Sequence, residues 1–430
     1  MLLIDNKKVI DMNKFISIII ILLLILVPGC SKESKLNSQN NKSKPSEVKE
    51  NIGKPSQVTQ TPIPVDPIKQ EISNMTLDEK IGQMVMCGID GYTINNSTVK
   101  LIKNYHVGGI IILGENVKSS TQLLSLLNSL KTTNLNNKTP LFLSIDQEGG
   151  RVDRMPPEFI KLPDNKKIGK VNSSKFSYKI GQIIAEELKS FGFNMDFAPV
   201  LDINSNPKNP VIGNRSFGSN PQIVTKLGIE TMKGIKSGGI ISCVKHFPGH
   251  GDTSTDSHVG LPIVDHDLKR LKSFELIPFD NAVRNNVDAI MAAHILLPKI
   301  DAKYPSSMSK TIITDVLRDN LKYNGVVITD DMTMGAVTKN YDIGSAAVVS
   351  FNAGCDIILV CHGYDNEVTV INSLKKAVQN GTIKEERVNE SLYRILKLKE
   401  KYKLKDKTVK SIDVSSINNK IKSILNSYIK

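Results

Sequence analysis

The sequence predicts a (β/α)8 barrel built as one large domain. Three observations lead there. Eight near-continuous apolar runs of strand length recur between residues 84 and 362, helix-like segments lie between most of them, and polar residues mark the ends of several runs. Runs that are apolar throughout, rather than alternating, belong to parallel strands covered on both faces. Eight such repeats over about 330 residues favour a closed barrel over an open doubly wound sheet.

The elements follow in order. Lys14 precedes a thirteen-residue apolar run, Phe15 to Val27, and "LVPGC" ends it at Cys30. The run is short for a membrane span, which needs about 20 residues, but fits the core of an export signal. Residues 1–29 are therefore expected to be a signal peptide of lipoprotein type. Cys30 would be the lipidated residue, anchoring the chain to the outer face of the cell membrane. Asp5 and Asp11 are acidic for a signal, so Met12 competes with Met1 as the start. Residues 30–65 are rich in Ser, Asn, Lys, Gln and Pro and hold too little apolar content for a core. They read as a tether, spanning roughly 30–35 Å as a flexible coil.

The barrel domain is expected over residues 66–405. "TLDE", from Thr76 to Glu79, has capping-box spacing and opens a helix. The strand runs are "MVMCGI" at Met84, "VGGIIILG" at Val107, "PLFLSID" at Pro140 and "FNMDFAPVLD" at Phe193. They continue with "ISCVKHF" at Ile241, "AIMAAHILL" at Ala289, "GVVITDD" at Gly325 and "DIILVCH" at Asp356. "SYKIGQIIAEELKSFG" and "DNEVTVINSLKKAVQNG" are among the helices between them, and "KEERVNESLYRILKLKEKYKL" closes the pattern. Residues 406–430 form a basic tail too short for another domain.

The formal net charge is +13, but its location matters more than its size. From Lys397 to Lys430 there are ten lysines against Glu400, Asp406 and Asp413. From Ser31 to Gln70 there are seven against Glu33, Glu47, Glu50 and Asp66. The middle of the chain is nearly balanced, which excludes the basic reading surface a nucleic-acid binder needs. Besides Cys30, four cysteines remain, three of them in or beside apolar runs, where free cysteine acts as a small hydrophobe. There is no CxxC, and no zinc site is expected.

In such a barrel the chemistry sits at the C-terminal ends of the strands. Asp146, Asp202, Lys245, His246, His294, Asp330 and Asp331 fall at those ends. The loop after the fifth strand, "KHFPGHGDTSTDSHVG", holds three of the chain's seven histidines and two aspartates in sixteen residues. Pro248 and Gly249 forbid a single helix there and argue against an H-x3-H metal pair from His246 and His250.

"KHFPGHGDTSTDSHVGLP" and "GVVITDDMTMGAV", with "IDQEGGRVDR" and "GNRSFG", resemble the family 3 glycoside hydrolases in their β-N-acetylhexosaminidase branch. The resemblance covers about residues 75–405. It implies a (β/α)8 barrel, retention of anomeric configuration through a covalent glycosyl-enzyme, and neither metal nor organic cofactor. By similarity, Asp330 is the nucleophile, the ionised carboxylate a retaining enzyme needs beneath the anomeric carbon. Asp331 is left to cap the following segment. The branch takes its acid/base from Asp-x-His, here Asp256-Ser257-His258. His258 would protonate the leaving oxygen and then deprotonate water, while Asp256 fixes its tautomer. Asp146, Arg154, Arg215, Lys245 and His246 match positions that hold sugar hydroxyls. Glu148, Gly149, Gly150 and Arg151 are expected to shape the turn, and His250 and Asp252 to organise the loop. Asp202 is expected to support the site from behind and His294 to line it.

The implied substrate is terminal β-linked N-acetylglucosamine, with muropeptides or peptidoglycan fragments suggested by export. Three competitors stand beside this reading. They are a family 3 glycosidase of other specificity such as a β-glucosidase, a β-N-acetylglucosaminide phosphorylase, and a lipoprotein that binds sugar without cleaving it. A metal-dependent barrel hydrolase is a fourth.

Overall fold

The computed structural model describes residues 66–429. The expected signal, tether and Cys30 lie outside the described residues. Eight parallel strands form the sheet: β1 (Val85–Cys87), β2 (Gly109–Ile112), β3 (Phe142–Ile145), β4 (Met195–Asp196), β5 (Ile241–Phe247), β6 (Ala289–Ala292), β7 (Val326–Thr329) and β8 (Ile358–Val360). Their order is β7-β6-β5-β4-β3-β2-β1-β8. The β7–β8 seam is closed by a parallel bridge between Ile328 and Ile357. There the Thr329 amide donates to the Ile357 carbonyl at 3.0 Å. The fold class read from the sequence is therefore the one observed, and each of the eight apolar runs contains one strand.

Every strand residue is buried on both faces, which is why the runs read as continuous rather than alternating. β4 is shorter than its run because Pro199 has no amide to donate. The chain resumes pairing beyond it, where Val200 bridges Lys245 and the Ser242 hydroxyl donates to the Ala198 carbonyl at 2.6 Å.

The helices begin and end where local chemistry directs. Thr76 accepts from the Glu79 amide at 3.2 Å, and Glu79 reaches back to the Thr76 amide at 2.7 Å. Helix Ser174–Phe191 is capped by Ser173 and stopped by Gly192 at φ 84°. It packs closely on helix Pro221–Ser237 because Gly181 and Gly234 lack side chains. A Cβ on Gly181 would lie 2.2 Å from the Thr231 carbonyl oxygen.

The two ends of the barrel differ. At the N-terminal floor, helix Glu385–Lys401 sends buried Lys399 among Gln83 Oε1, the Gly108 carbonyl and the Pro140 carbonyl, at 2.7–3.0 Å. Asp356, also buried, is held by Arg318 at 2.6 Å, Arg394 at 3.1 Å and the Val327 amide at 3.0 Å. These contacts tie the closing helix to the segments that enter β1, β2 and β3 and, through Asp356, to β7 and β8. Residues 406–430 carry helix Val414–Tyr428, whose Ile417 and Ile421 are buried, and the helix lies against Ser174–Phe191. Cys87, Cys243, Cys355 and Cys361 are buried free thiols. No helix of the described residues is long and apolar enough to cross a membrane.

Candidate active site

The residues expected at the strand ends meet at the C-terminal mouth in two groups. The first is a wall of paired charges over β3, β4 and β5. Lys245, 2% exposed, places its ammonium 2.5 Å from Asp146 Oδ1 and 2.7 Å from Glu148 Oε1. Glu148, 1% exposed, also accepts two bonds from Arg215, Nε to Oε2 at 2.9 Å and Nη2 to Oε1 at 2.7 Å. Burial alone would raise the Glu148 carboxyl. The charges of Arg215 and Lys245 outweigh it and hold the group well below the usual carboxylate range. Burial would likewise lower Arg215 and Lys245, and the carboxylates instead hold both above their ordinary values.

His246 extends this wall. Its Nε2 lies 3.3 Å from Arg215 and its Nδ1 2.6 Å from Asp202 Oδ2. Asp202 is fully buried and also accepts the His250 amide at 2.6 Å. Burial raises the Asp202 carboxyl, but His246 and His250 outweigh it and keep it low. His250 is buried too, and burial followed by the neighbouring His246 charge lowers it to about 4, leaving it neutral. Its ring nitrogens meet Thr253 Oγ1 at 2.7 Å and Ser257 Oγ at 3.2 Å. The rings of His246 and His250 are thus engaged by protein groups.

Arg154 sits on the long β3 loop. Its amide donates to Gln147 Oε1 at 2.8 Å, and its side chain passes over Gly114 at the end of β2, where an added Cβ would come within 3.3 Å of it. Its Nε is buried without a partner, a donor left available to a ligand. Behind the wall Gln147 gathers three carboxyls: its amide meets Asp196 at 3.0 Å and its Nε2 meets Asp153 and Glu187, each at 3.2 Å. Burial, the largest cause at each, raises the Asp196 and Glu187 carboxyls well above their usual values.

The second group spans the β5 and β7 loops. Asp330 follows β7 with its amide bonded to the Ala292 carbonyl at 2.8 Å. Its carboxyl accepts from the Asp331 amide at 2.9 Å. Burial would raise it, but His246, His294, that amide and Lys245 together keep it below its usual value, hence ionised. Asp331 is turned away: it caps Thr333 and accepts from the Cys361 amide at 2.9 Å. His294 is fully buried beneath, bonded to Ser307 at 2.7 Å and the Asp331 carbonyl at 3.0 Å.

His258 Nδ1 lies 2.8 Å from Asp256 Oδ1, which also accepts the His258 amide at 2.9 Å. Burial works to raise Asp256, but both bonds from His258 outweigh it. The imidazole is 68% exposed. Its backbone is not free: the His258 carbonyl accepts from the Gly335 amide at 3.3 Å, and the Ser257 carbonyl from Ala336 at 3.0 Å. The dyad loop is thus seated on the segment that follows Asp330.

The sequence reading and the structure part at Glu148. Read as a turn former beside Gly149 and Gly150, it is the hub that joins Lys245 to Arg215. Two expected cations needed a buried counter-charge, and that demand was the available signal. Gln147 was not singled out at all. Arg151 keeps to the turn, bonding the Val211 carbonyl. His250 and Asp252 organise the loop as expected; Asp252 bonds Ser205 at 3.1 Å and His266 at 2.9 Å. A cavity of about 1160 Å³ opens elsewhere, lined by Lys69, Asp288, Tyr393 and Lys401 at the floor. None of the mouth residues lines it, and the chemistry decides against it as the site.

A parallel eightfold barrel whose mouth gathers paired carboxylates, cations and an Asp–His pair is the architecture of a glycoside hydrolase. The chain belongs to glycosyl hydrolase family 3: the model of that family's N-terminal domain matches residues 76–398. Beta-hexosaminidase A of Pseudoalteromonas piscicida is 38% identical over 326 residues, 70% of this chain and 54% of that protein. The Beta-hexosaminidase of Methylobacillus flagellatus is 33% identical over 301 residues, 69% of this chain and 85% of the relative. The chain thus spans about half the length of the first and most of the second. Among solved structures, a glycoside hydrolase family 3 beta-N-acetylglucosaminidase from Paenibacillus sp. str. FPU-7 aligns with a TM-score of 0.78 and 39% identity. That alignment covers 82% of this chain and 69% of the other.

Proposed function

We propose that this protein is a retaining β-N-acetylhexosaminidase that removes terminal, non-reducing β-linked N-acetylglucosamine. The observation that carries the reading is the seating of the Asp256–His258 loop on the segment after Asp330. One carboxylate held ionised and one carboxylate-bound imidazole then serve the same mouth.

In the first step an Asp330 carboxylate oxygen bonds to the anomeric carbon as the glycosidic bond breaks. His258 Nε2 gives its proton to the departing oxygen, and Nδ1 keeps its bond to Asp256. In the second step water attacks the anomeric carbon, His258 takes the water's proton, and the Asp330 ester bond breaks. Configuration is retained because the carbon is inverted twice. The exposed imidazole suits this exchange, since the attacking water must reach it and the proton taken from that water restores the form that began the first step. Asp146, Lys245, His246, Arg215 and Arg154 would hold the sugar's hydroxyls, the charged groups giving the stronger bonds.

The relatives' names support the choice of N-acetylhexosamine over glucose. The lipobox-like "LVPGC" at Cys30 supports attachment to the outer face of the membrane, and with it peptidoglycan fragments or muropeptides as substrates.

The test is the leaving-group dependence of His258→Ala. Activated aryl N-acetyl-β-glucosaminides need little proton donation, so their first-step rate should fall by no more than roughly tenfold, whereas poor leaving groups should lose about 10²–10⁴-fold. Equal losses on both would remove His258 as the acid. Running the assay with and without phosphate separates hydrolysis from phosphorolysis, because N-acetylglucosamine 1-phosphate as main product would displace the hydrolase reading.

A further inference from the structure

The residues after helix Glu385–Lys401 run as a strap along the outside of the barrel, from the floor to the β3 side of the mouth. Asp406 accepts from Asn134 Nδ2 at 2.7 Å and from the Leu141 amide at 3.3 Å. Val409 then pairs with the Asn128 carboxamide through both of its backbone groups, at 2.8 and 2.9 Å. Helix Val414–Tyr428 follows, fastened to Ser174–Phe191 by buried Ile417 and Ile421, a Tyr428–Phe176 stack at 4.9 Å and a Lys420–Glu186 pair at 2.5 Å. The family match ends at residue 398, so the strap lies beyond it.

Asn418 is where the strap meets the active site's framework. Its Nδ2 donates to the Glu158 carbonyl at 2.9 Å, and its Oδ1 accepts from the Ile160 amide at 2.9 Å. One carboxamide thus closes a two-bond clasp on residues 158–160, in the loop that leaves β3 with Asp146, Glu148 and Arg154. That loop has little regular structure of its own. Its internal backbone bonds are few: Glu148 to Val152 at 2.9 Å, Val152 to Gly149 at 3.2 Å, Gly150 to Leu162 at 3.0 Å and Phe159 to Pro156 at 2.9 Å. Arg154 Nε has no partner, so the direction of this side chain is inherited largely from the loop that carries it.

We propose that Asn418 is a positioning residue for substrate binding: it clasps the β3 loop from outside and so sets the placement of Arg154 at the mouth. The inference rests on the reading of Arg154 as a sugar-binding group. A clasp acting on binding alone affects ground state and transition state alike, so its loss raises KM and leaves kcat nearly unchanged.

The experiment uses the full chain and 4-nitrophenyl N-acetyl-β-glucosaminide, with Tm measured beside kcat and KM. Asn418→Ala should raise KM roughly three- to tenfold with kcat within about twofold. Asn128→Ala, which frees the strap at Val409 without touching the β3 loop, should lower Tm and leave KM as it was. Arg154→Ala should raise KM further, and adding Asn418→Ala to it should cost nothing more, since the two act through one contact. Unchanged KM in Asn418→Ala, beside a raised KM in Arg154→Ala, would reduce the strap to a brace and overturn the proposal. Unchanged KM in Arg154→Ala would instead remove the binding role of that arginine, and the proposal with it.

Discussion

The charged wall over β3 to β5 and the dyad loop beyond β5 are built on opposite physical terms. Glu148 and Lys245 are almost without solvent, and each of the two is met by two groups of opposite charge. His258 is 68% exposed, its Asp256 partner 36%, and one imidazole–carboxylate contact joins their side chains. A desolvated charge is tolerable only when its partners are in place, so the wall can adopt essentially one arrangement. The dyad loop is under no such constraint, and two backbone bonds to Gly335 and Ala336 seat it. The contrast teaches a division of labour. Recognition of a sugar needs donors fixed in advance, whereas a group that gives and takes protons must communicate with water.

Breaking the wall should have the larger effect. Glu148→Gln leaves Arg215 and Lys245 facing each other without their shared counter-charge. It should destabilise the fold by about 3 kcal/mol, the cost typical of halving a buried ion pair, and raise KM at least roughly tenfold. Thermal denaturation and steady-state kinetics on the same sample check it. A variant with unaltered Tm and KM would mean the wall is not under the constraint described.

A smaller effect sharpens the boundary between the two regions, where His250 stands. It is buried with Asp202 and His246 behind it, and its Nε2 reaches Ser257, between the two dyad residues. Its folded value of about 4 lies below the ordinary histidine value of about 6.5. The unfolded chain therefore takes the proton first. The stability from keeping His250 neutral is fully present above pH ~6.5 and is lost as pH falls through about 4, amounting to about 3 kcal/mol. His250→Asn should flatten the fall of Tm across that window. A slope identical to the wild type's would place the acid sensitivity elsewhere.

Much of this architecture was legible in the sequence because burial writes itself in composition. Eight strands covered on both faces leave eight apolar runs, each holding one strand, and at Pro199 the missing amide ends the regular pairing of β4 early. The mouth residues were legible from their places after those runs and from the motifs they share with a family. Glu148 was not, because adjacent Gly149 and Gly150 made the segment look like a turn, which it also is. The strap was hidden differently. Ile417, Ile421 and Ile424 recur at helical spacing, but the surrounding lysines made residues 406–430 look like a solvated tail. Its anchoring groups are asparagines, whose bonds to distant backbone leave no periodic trace.

Both regions have meaning only if they serve one bond at Asp330, and the most direct measurement of that is the covalent intermediate. A slowly hydrolysed N-acetylglucosaminyl fluoride, fluorinated at carbon 5, should add one sugar to the full chain, with the mass found on the peptide that contains Asp330. The Asp330→Ala variant should take no label and lose at least roughly 10⁴-fold in turnover. A label on another carboxylate, or full turnover by Asp330→Ala, would contradict the account.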